Sequence, residues 1–192
     1  MNNLKMDIDK ARELAKSALS RSRFYHTECV AKAARQLALT HGIDEQKAVV
    51  AAYLHDILKE RDKGDLLQSL IASDIMNFEN IEKIPATWHA YAGGLYVRDE
   101  LGMDDDIVHA VMYHTAGRAG MSGLEKVIFV ADYISEDREF FGVPEVRELA
   151  QTSLDKACVA ALRNSIVHIC KKFKHIDTNS VHAFNELVDK RD

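Results

Sequence analysis

Ala51-Ala52-Tyr53-Leu54-His55-Asp56-Ile57-Leu58 is the stretch that decides how this sequence folds and what it carries. An adjacent histidine and aspartate sit inside an apolar helical run. Burying a carboxylate without a partner costs several kcal/mol. A bound cation removes that cost, because imidazole and carboxylate are both good ligands for first-row transition metals. The dipeptide alone is weak evidence. It gains weight because further candidate ligands lie before and after it, each in its own helical context.

Working outward, the sequence reads as helices throughout, which predicts an all-α fold with one domain over residues 1–192. A first amphipathic helix over about residues 4–20 places Leu4, Ile8, Ala11, Leu14, Ala15 and Ala18 on one face. A second runs from about Phe24 to His41 and stops at Gly42. His26 falls on its apolar stripe, one turn before Val30. Asp44 caps a third helix, expected from Glu45 to Arg61, which carries His55-Asp56. A polar turn at Asp62-Lys63-Gly64 precedes a shorter helix to Ala72, and Asn77 to Pro85 reads as short helix or loop. Further helices are expected from Thr87 to Leu101 and from the Asp104 cap to His114. After the loop Thr115 to Met121, Ser122-Gly123-Leu124-Glu125 is a capping box opening a helix through Asp132. Pro144 suits the first turn of a long helix ending near Lys174, and a last helix spans Ser180 to Lys190.

Composition bounds the function. The chain has 192 residues, enough for one domain with a sizeable core, and only two prolines, which favours long helices. The polar start from Met1 to Lys10 lacks the apolar core of a secretory signal, and no stretch is long and apolar enough to span a membrane. Cys29, Cys158 and Cys170 form no CxxC pair and suit a reducing cytoplasm, so a cytoplasmic location is expected. The net charge of −5 argues against a broad nucleic-acid surface, yet leaves room for a small anionic substrate held by a metal centre and local Lys and Arg. Nine histidines stand out for this length.

Six residues are candidate inward-facing ligands: His26, His55, Asp56, His89, His114 and Asp132. Each has a plainer reading. A single histidine on an apolar face is more often a core residue bonded to a carbonyl. His89 follows the only tryptophan on an ordinary amphipathic helix, and His114 ends a helix, where a charged imidazole meets the dipole favourably. Asp132 is hardest to explain away. It lies within Val127-Ile128-Phe129-Val130-Ala131-Asp132-Tyr133-Ile134, and aspartate is a poor mid-helix residue. His41, His109, His168, His175 and His182 read as structural or surface residues.

With these residues in place the pattern resembles the HD superfamily of metal-dependent phosphohydrolases: His26, then His55-Asp56, then a distant Asp132, with His89 and His114 as in its dinuclear variant. Tyr113-His114-Thr115-Ala116-Gly117-Arg118 and Ala131-Asp132-Tyr133-Ile134 sharpen the resemblance to the YqeK family, bacterial symmetrical diadenosine tetraphosphate hydrolases. The one departure is Tyr25 before His26, where a more polar residue is expected. The resemblance implies two divalent transition-metal ions, iron by analogy, with manganese or cobalt as rivals. One ion would take His26, His55, Asp56 and Asp132; the other His89 and His114, with Asp56 bridging. It implies a hydroxide activated by the metals, with Asp56, His55 and Lys59 as the catalytic residues. Arg23, Lys59, Thr115, Arg118 and Arg138 are expected to contact phosphate. For Arg23 and Arg138 a surface salt bridge is the rival, and for Lys59 a solvated helix end. Three other functions compete: the same site acting on another nucleotide, a di-iron oxygenase with a similar ligand set, and a nucleotide sensor without turnover. Phe140, Phe141, Val143 and Pro144 are candidates for core or for a homodimer contact.

Overall fold

In the computed structural model, residues 6–73 and 81–190 are described. Among them ten α-helices and one 3-10 turn form, and no strand. The helices are α1 (Ile8–Ala18), α2 (Arg21–His41), α3 (Glu45–Leu54), α4 (Lys63–Ala72), α5 (Trp88–Asp99), α6 (Asp105–Met112), α7 (Gly123–Ile134), α8 (Val143–Ala150), α9 (Leu154–Lys171) and α10 (Thr178–Asp189). The expected all-α architecture is what the structure has.

The packing follows from two helices that are apolar on nearly every side, the signature of a buried helix. In α3 every residue from Ala48 to Leu54 is buried, and in α7 so is the run from Val127 to Ala131. The other helices surround this pair: α2 packs on both α3 and α7, and α6 packs on α3, α5 and α7. Helices α8 to α10 extend the core from the far side of α7. Within α5, a Cβ on Gly94 would lie 2.6 Å from Met112 Cβ. Only a glycine there lets α5 and α6 approach so closely, which brings His89 on α5 near His114 just past the end of α6.

Several helix ends differ from expectation. Helix α3 stops at Leu54, before Arg61. The His55 ring donates from Nδ1 to the Ala52 carbonyl at 2.6 Å, the acceptor an unbroken helix would offer to the Asp56 amide. Beyond it the backbone closes in tight turns, Ile57 N–H to Leu54, Lys59 N–H to Asp56 and Arg61 N–H to Leu58. The expected turn at Asp62-Lys63-Gly64 is the start of α4, where Asp62 accepts from the Gly64 and Asp65 amides. The long helix expected from Pro144 is two helices. Ser153, extended at φ −155°, caps α9 by accepting from the Lys156 amide, and the Leu149 carbonyl closes the break by accepting from Thr152 and Ser153. Asp104 holds the N-cap position of α6 but directs its carboxylate to Lys47 at 3.3 Å. The capping box at Ser122 and Glu125 forms as expected. Leu4 and the segment Asn77–Asn80 lie outside the described residues.

Helices α2 and α9 end in left-handed backbone with different residues. Helix α2 closes on Gly42 at φ 67°. Helix α9 closes on Phe173 at φ 51°, with Phe173 N–H bonded to Cys170 and Lys174 N–H to Ile169. This is the helix-ending motif normally built on glycine, and here it leaves a phenylalanine 98% exposed.

Candidate metal centre

The six candidate ligands come from five separate parts of the chain. His26 lies in the first half of α2, His55 and Asp56 at the end of α3, His89 in the first turn of α5, His114 just past α6, and Asp132 near the end of α7. The structure brings them together. Ligand atoms of His26, His55 and Asp132 lie within 4.8 Å of one another, as do those of His55, Asp56 and His114. His89 joins the second group, with Nε2 at 3.1 Å from Asp56 Oδ1 and 3.3 Å from His114 Nε2.

Hydrogen bonds on the far side of each ring determine which nitrogen faces the cluster. A carbonyl can only accept, so His55 Nδ1 facing Ala52 O and His114 Nδ1 facing Val111 O at 2.7 Å must carry the hydrogen. In the neutral rings both Nε2 atoms then present lone pairs. His89 Nε2 accepts from Lys59 Nζ at 3.0 Å, so it too presents a lone pair. His26 is held differently: its Nδ1 lies 2.7 Å from the Asp137 carboxylate and its Nε2 3.0 Å from Asp132 Oδ1. Such partners on the outer nitrogen are what orient metal-ligating histidines.

The donor set fits a cation. His55 Nε2 and Asp56 Oδ1 are buried and lack hydrogen-bond partners among the described residues. Asp56 Oδ1 faces the His114 and His89 nitrogens at 3.5 and 3.1 Å, so lone pair meets lone pair. A buried polar atom without a partner costs about 1–3 kcal/mol. Positive charge placed among these atoms satisfies all of them at once. Without an added cation, protonation of the rings themselves is what supplies positive charge. Burial alone would raise Asp56, yet the charge of His55 and the nearby His114 and His89 rings hold it well below the usual carboxylate range. Burial is likewise outweighed at Asp132, by the His26 bond and by His55 and Arg138, and Asp132 is also far below that range. Burial opposes charge on His55 but the Asp56 carboxylate wins and raises it. His89 moves the other way, lowered to about 4, chiefly by burial.

Cations rim the cluster. Arg23 Nη1 donates to Asp56 Oδ2 at 3.1 Å, and Arg138 Nη2 to Asp132 Oδ1 at 2.7 Å. Lys59 Nζ, beside His89, is 3.7 Å from Asp56 Oδ1. The three side chains are 30%, 33% and 32% exposed, so each bridges the buried cluster and solvent. Thr115 Oγ1, directly after His114, is buried and unpartnered among the described residues. Arg118 is engaged elsewhere. Its Nε and Nη2 donate to the two Glu125 oxygens, both at 2.7 Å, and its guanidinium stacks on Tyr113 with Cζ 5.2 Å from the ring centroid.

Two residues at the site were missed in the sequence. Asp137 carries no helical periodicity to flag it, since it lies beyond the end of α7 and acts on His26 across 111 positions. Glu125 is visible as a capping residue, but its pairing with Arg118 is not. Of the excluded histidines, His41 bonds the Ala150 carbonyl at 2.7 Å, a structural role.

A helical fold gathering histidines and aspartates from separate helices defines the HD-domain class, and the HD domain model matches residues 23–137. The chain is 40% identical over 184 residues to "Bis(5'-nucleosyl)-tetraphosphatase, symmetrical" of Bacillus subtilis (strain 168), covering 95% of this chain and 98% of that one. The protein of the same name from Staphylococcus aureus (strain NCTC 8325 / PS 47) is 30% identical, covering 96% and 92%. A crystal structure from Clostridium acetobutylicum, described as a predicted HD superfamily hydrolase involved in NAD metabolism, superposes with TM-score 0.86 at 29% identity over 95% of this chain and 97% of that one. The chain therefore belongs to the HD-domain family, in the group whose full-length relatives carry the symmetrical tetraphosphatase name.

Proposed function

We propose that this protein hydrolyses diadenosine tetraphosphate symmetrically to two ADP, using two divalent metal ions held by His26, His55, Asp56, His89, His114 and Asp132. The observation that carries the reading is the buried lone-pair cluster around His55 Nε2 and Asp56 Oδ1 in a chain that aligns over 95% of its length with a relative of that name. When bound, the ions supply Lewis acidity toward phosphate oxygens and lower the pKa of water, so that a hydroxide nucleophile is available near neutral pH. Nitrogen-rich ligation favours iron, manganese or cobalt over magnesium, and iron is the ion we assign.

The chain's own residues handle the substrate. Arg23, Arg138 and Lys59 lie where a polyphosphate chain laid across the cluster would run. On this reading the central linkage lies over the cluster, and attack there leaves a diphosphate on each nucleoside. Lys59 neutralises charge on the departing diphosphate, and Thr115 offers a free hydroxyl to a phosphate oxygen. Arg118 supports the loop after His114, and it would reach phosphate only by giving up one of its bonds to Glu125 or Ala119. We further assign residues 1–192 to one HD-type domain, place the protein in the cytoplasm, and leave a homodimer as the candidate role of Phe141, which is 93% exposed. Val143, by contrast, is core, and Phe140 packs on Tyr133.

Product analysis tests the reading. Protein loaded with iron(II) or manganese(II) is incubated with diadenosine tetraphosphate and the nucleotides are separated. ADP as sole product, abolished in Asp56→Ala, is the expected result. AMP plus ATP would overturn the symmetric geometry. No product from protein holding two ions would move the substrate to another nucleotide, and oxygen uptake would reveal the oxygenase.

A further inference from the structure

We propose that Asp137, oriented by Ser135, is a positioning residue for His26 and makes the His26–Asp132 corner the tighter of the two metal positions. The proposal rests on the two-metal reading above and goes beyond it by ranking the positions.

The argument is an asymmetry among the rings. His55 and His114 each rest their outer nitrogen on a neutral backbone carbonyl. Among the described residues His26 is the one ring seen to rest it on a carboxylate, at 2.7 Å. A carboxylate in that place fixes the tautomer and raises the basicity of the ligating nitrogen more than a carbonyl does. The placement is built by its surroundings. Ser135, fully buried, donates from Oγ to Asp137 Oδ1 at 2.6 Å, which leaves Oδ2 for the imidazole. Arg147 locks the segment that carries them, donating to the carbonyls of Ile134, Ser135 and Arg138 at 2.8, 2.7 and 3.0 Å. The neighbouring carboxylate, Glu136, engages Lys32 at 2.6 Å and makes no bond to His26. The turn after α7 therefore separates two adjacent acids, one on the ligand and one on the surface.

The test is manganese(II) binding by equilibrium dialysis with metal analysis, on wild type, Asp137→Asn, Glu136→Gln and His89→Ala. Wild type should take up two ions with distinct constants. Asp137→Asn should weaken the tighter one about 10- to 100-fold and leave the looser one unchanged, with an unaltered melting temperature in chelator. Glu136→Gln should match wild type, and His89→Ala should lose only the looser ion. The ranking is overturned if Asp137→Asn leaves the tighter constant unchanged or weakens the looser one. Wild type binding fewer than two ions overturns the two-metal reading, and the ranking with it.

Discussion

Two constellations of buried charge lie on either side of His114, and they are built on opposite terms. In the Arg118–Glu125 pair nearly every bond is made. Glu125 accepts twice from the guanidinium and once from the Ser122 amide at 3.1 Å, while Arg118 also donates to the Ala119 carbonyl. In the His/Asp cluster, buried atoms are left without partners and lone pairs face one another. A buried ion pair with its bonds satisfied specifies shape and asks for nothing further. One with orphaned atoms is stable only with an added cation. The difference separates scaffold from chemistry more sharply than burial or charge does.

The most severe way to break the comparison is at Asp56. Asp56→Ala should lower kcat by about 10⁴-fold, as loss of a metal-centre ligand does when the groups act as a unit. Because Asp56 Oδ2 accepts from Arg23 while Oδ1 is orphaned, the melting temperature in chelator should fall only slightly. A protein that loses its fold along with its activity would place the cluster among the scaffold. Next comes Glu125→Ala, which strands Arg118; because Arg118 is 29% exposed, the loss should be about 1–3 kcal/mol of stability in denaturant titration. Its turnover at low temperature should stay within a few-fold of wild type, and a metal-binding defect would contradict the scaffold reading. The third test compares two arginines. Arg138→Ala, at the rim, should lower kcat/KM about 10- to 100-fold, on the scale of one or two charge-assisted bonds. Arg118→Ala should lower it only a few-fold once measured below its melting point, and equal effects would return Arg118 to the phosphate contacts. The smallest effect belongs to Phe173→Gly. Relieving left-handed backbone at a non-glycine residue should add about 1 kcal/mol of stability, read as a higher denaturant midpoint with unchanged activity.

Helix α2 was legible because its apolar periodicity and Gly42 stop survive in the sequence, and α7 because a capping box opens its continuous apolar run; both formed where expected. What sequence could not carry was competition for a backbone acceptor. The stretch through Asp56 has helical composition, yet a side chain captures the Ala52 carbonyl and α3 stops at Leu54. The break at Gln151-Thr152-Ser153 is of the same kind, since Ser153 reads equally well inside a helix or at its cap. The ligand candidates were legible one by one, because a histidine or aspartate on an apolar face is conspicuous. Their mutual distances, the Asp137 bond to His26 and the Glu125 hold on Arg118 arise from tertiary packing and leave no periodic trace.

The Ala52 carbonyl has one more consequence. Because His55 both faces the cluster and terminates its own helix, its removal does two things at once. Without the ring the Ala52 carbonyl is free for the Asp56 amide; His55 is already helical at φ −56° and ψ −41°, so the change falls on the tight turns beyond it, where α-helical winding turns each residue by about 100° around the axis and would carry Lys59 off the cluster. Free imidazole diffusing into the cavity of a His55→Ala protein would replace the lost nitrogen but not the lost turn. His89 ends no helix and sits in the first turn of α5. Chemical rescue should therefore restore turnover to His89→Ala and not to His55→Ala, which distinguishes a side chain that only occupies its position from one that also makes it.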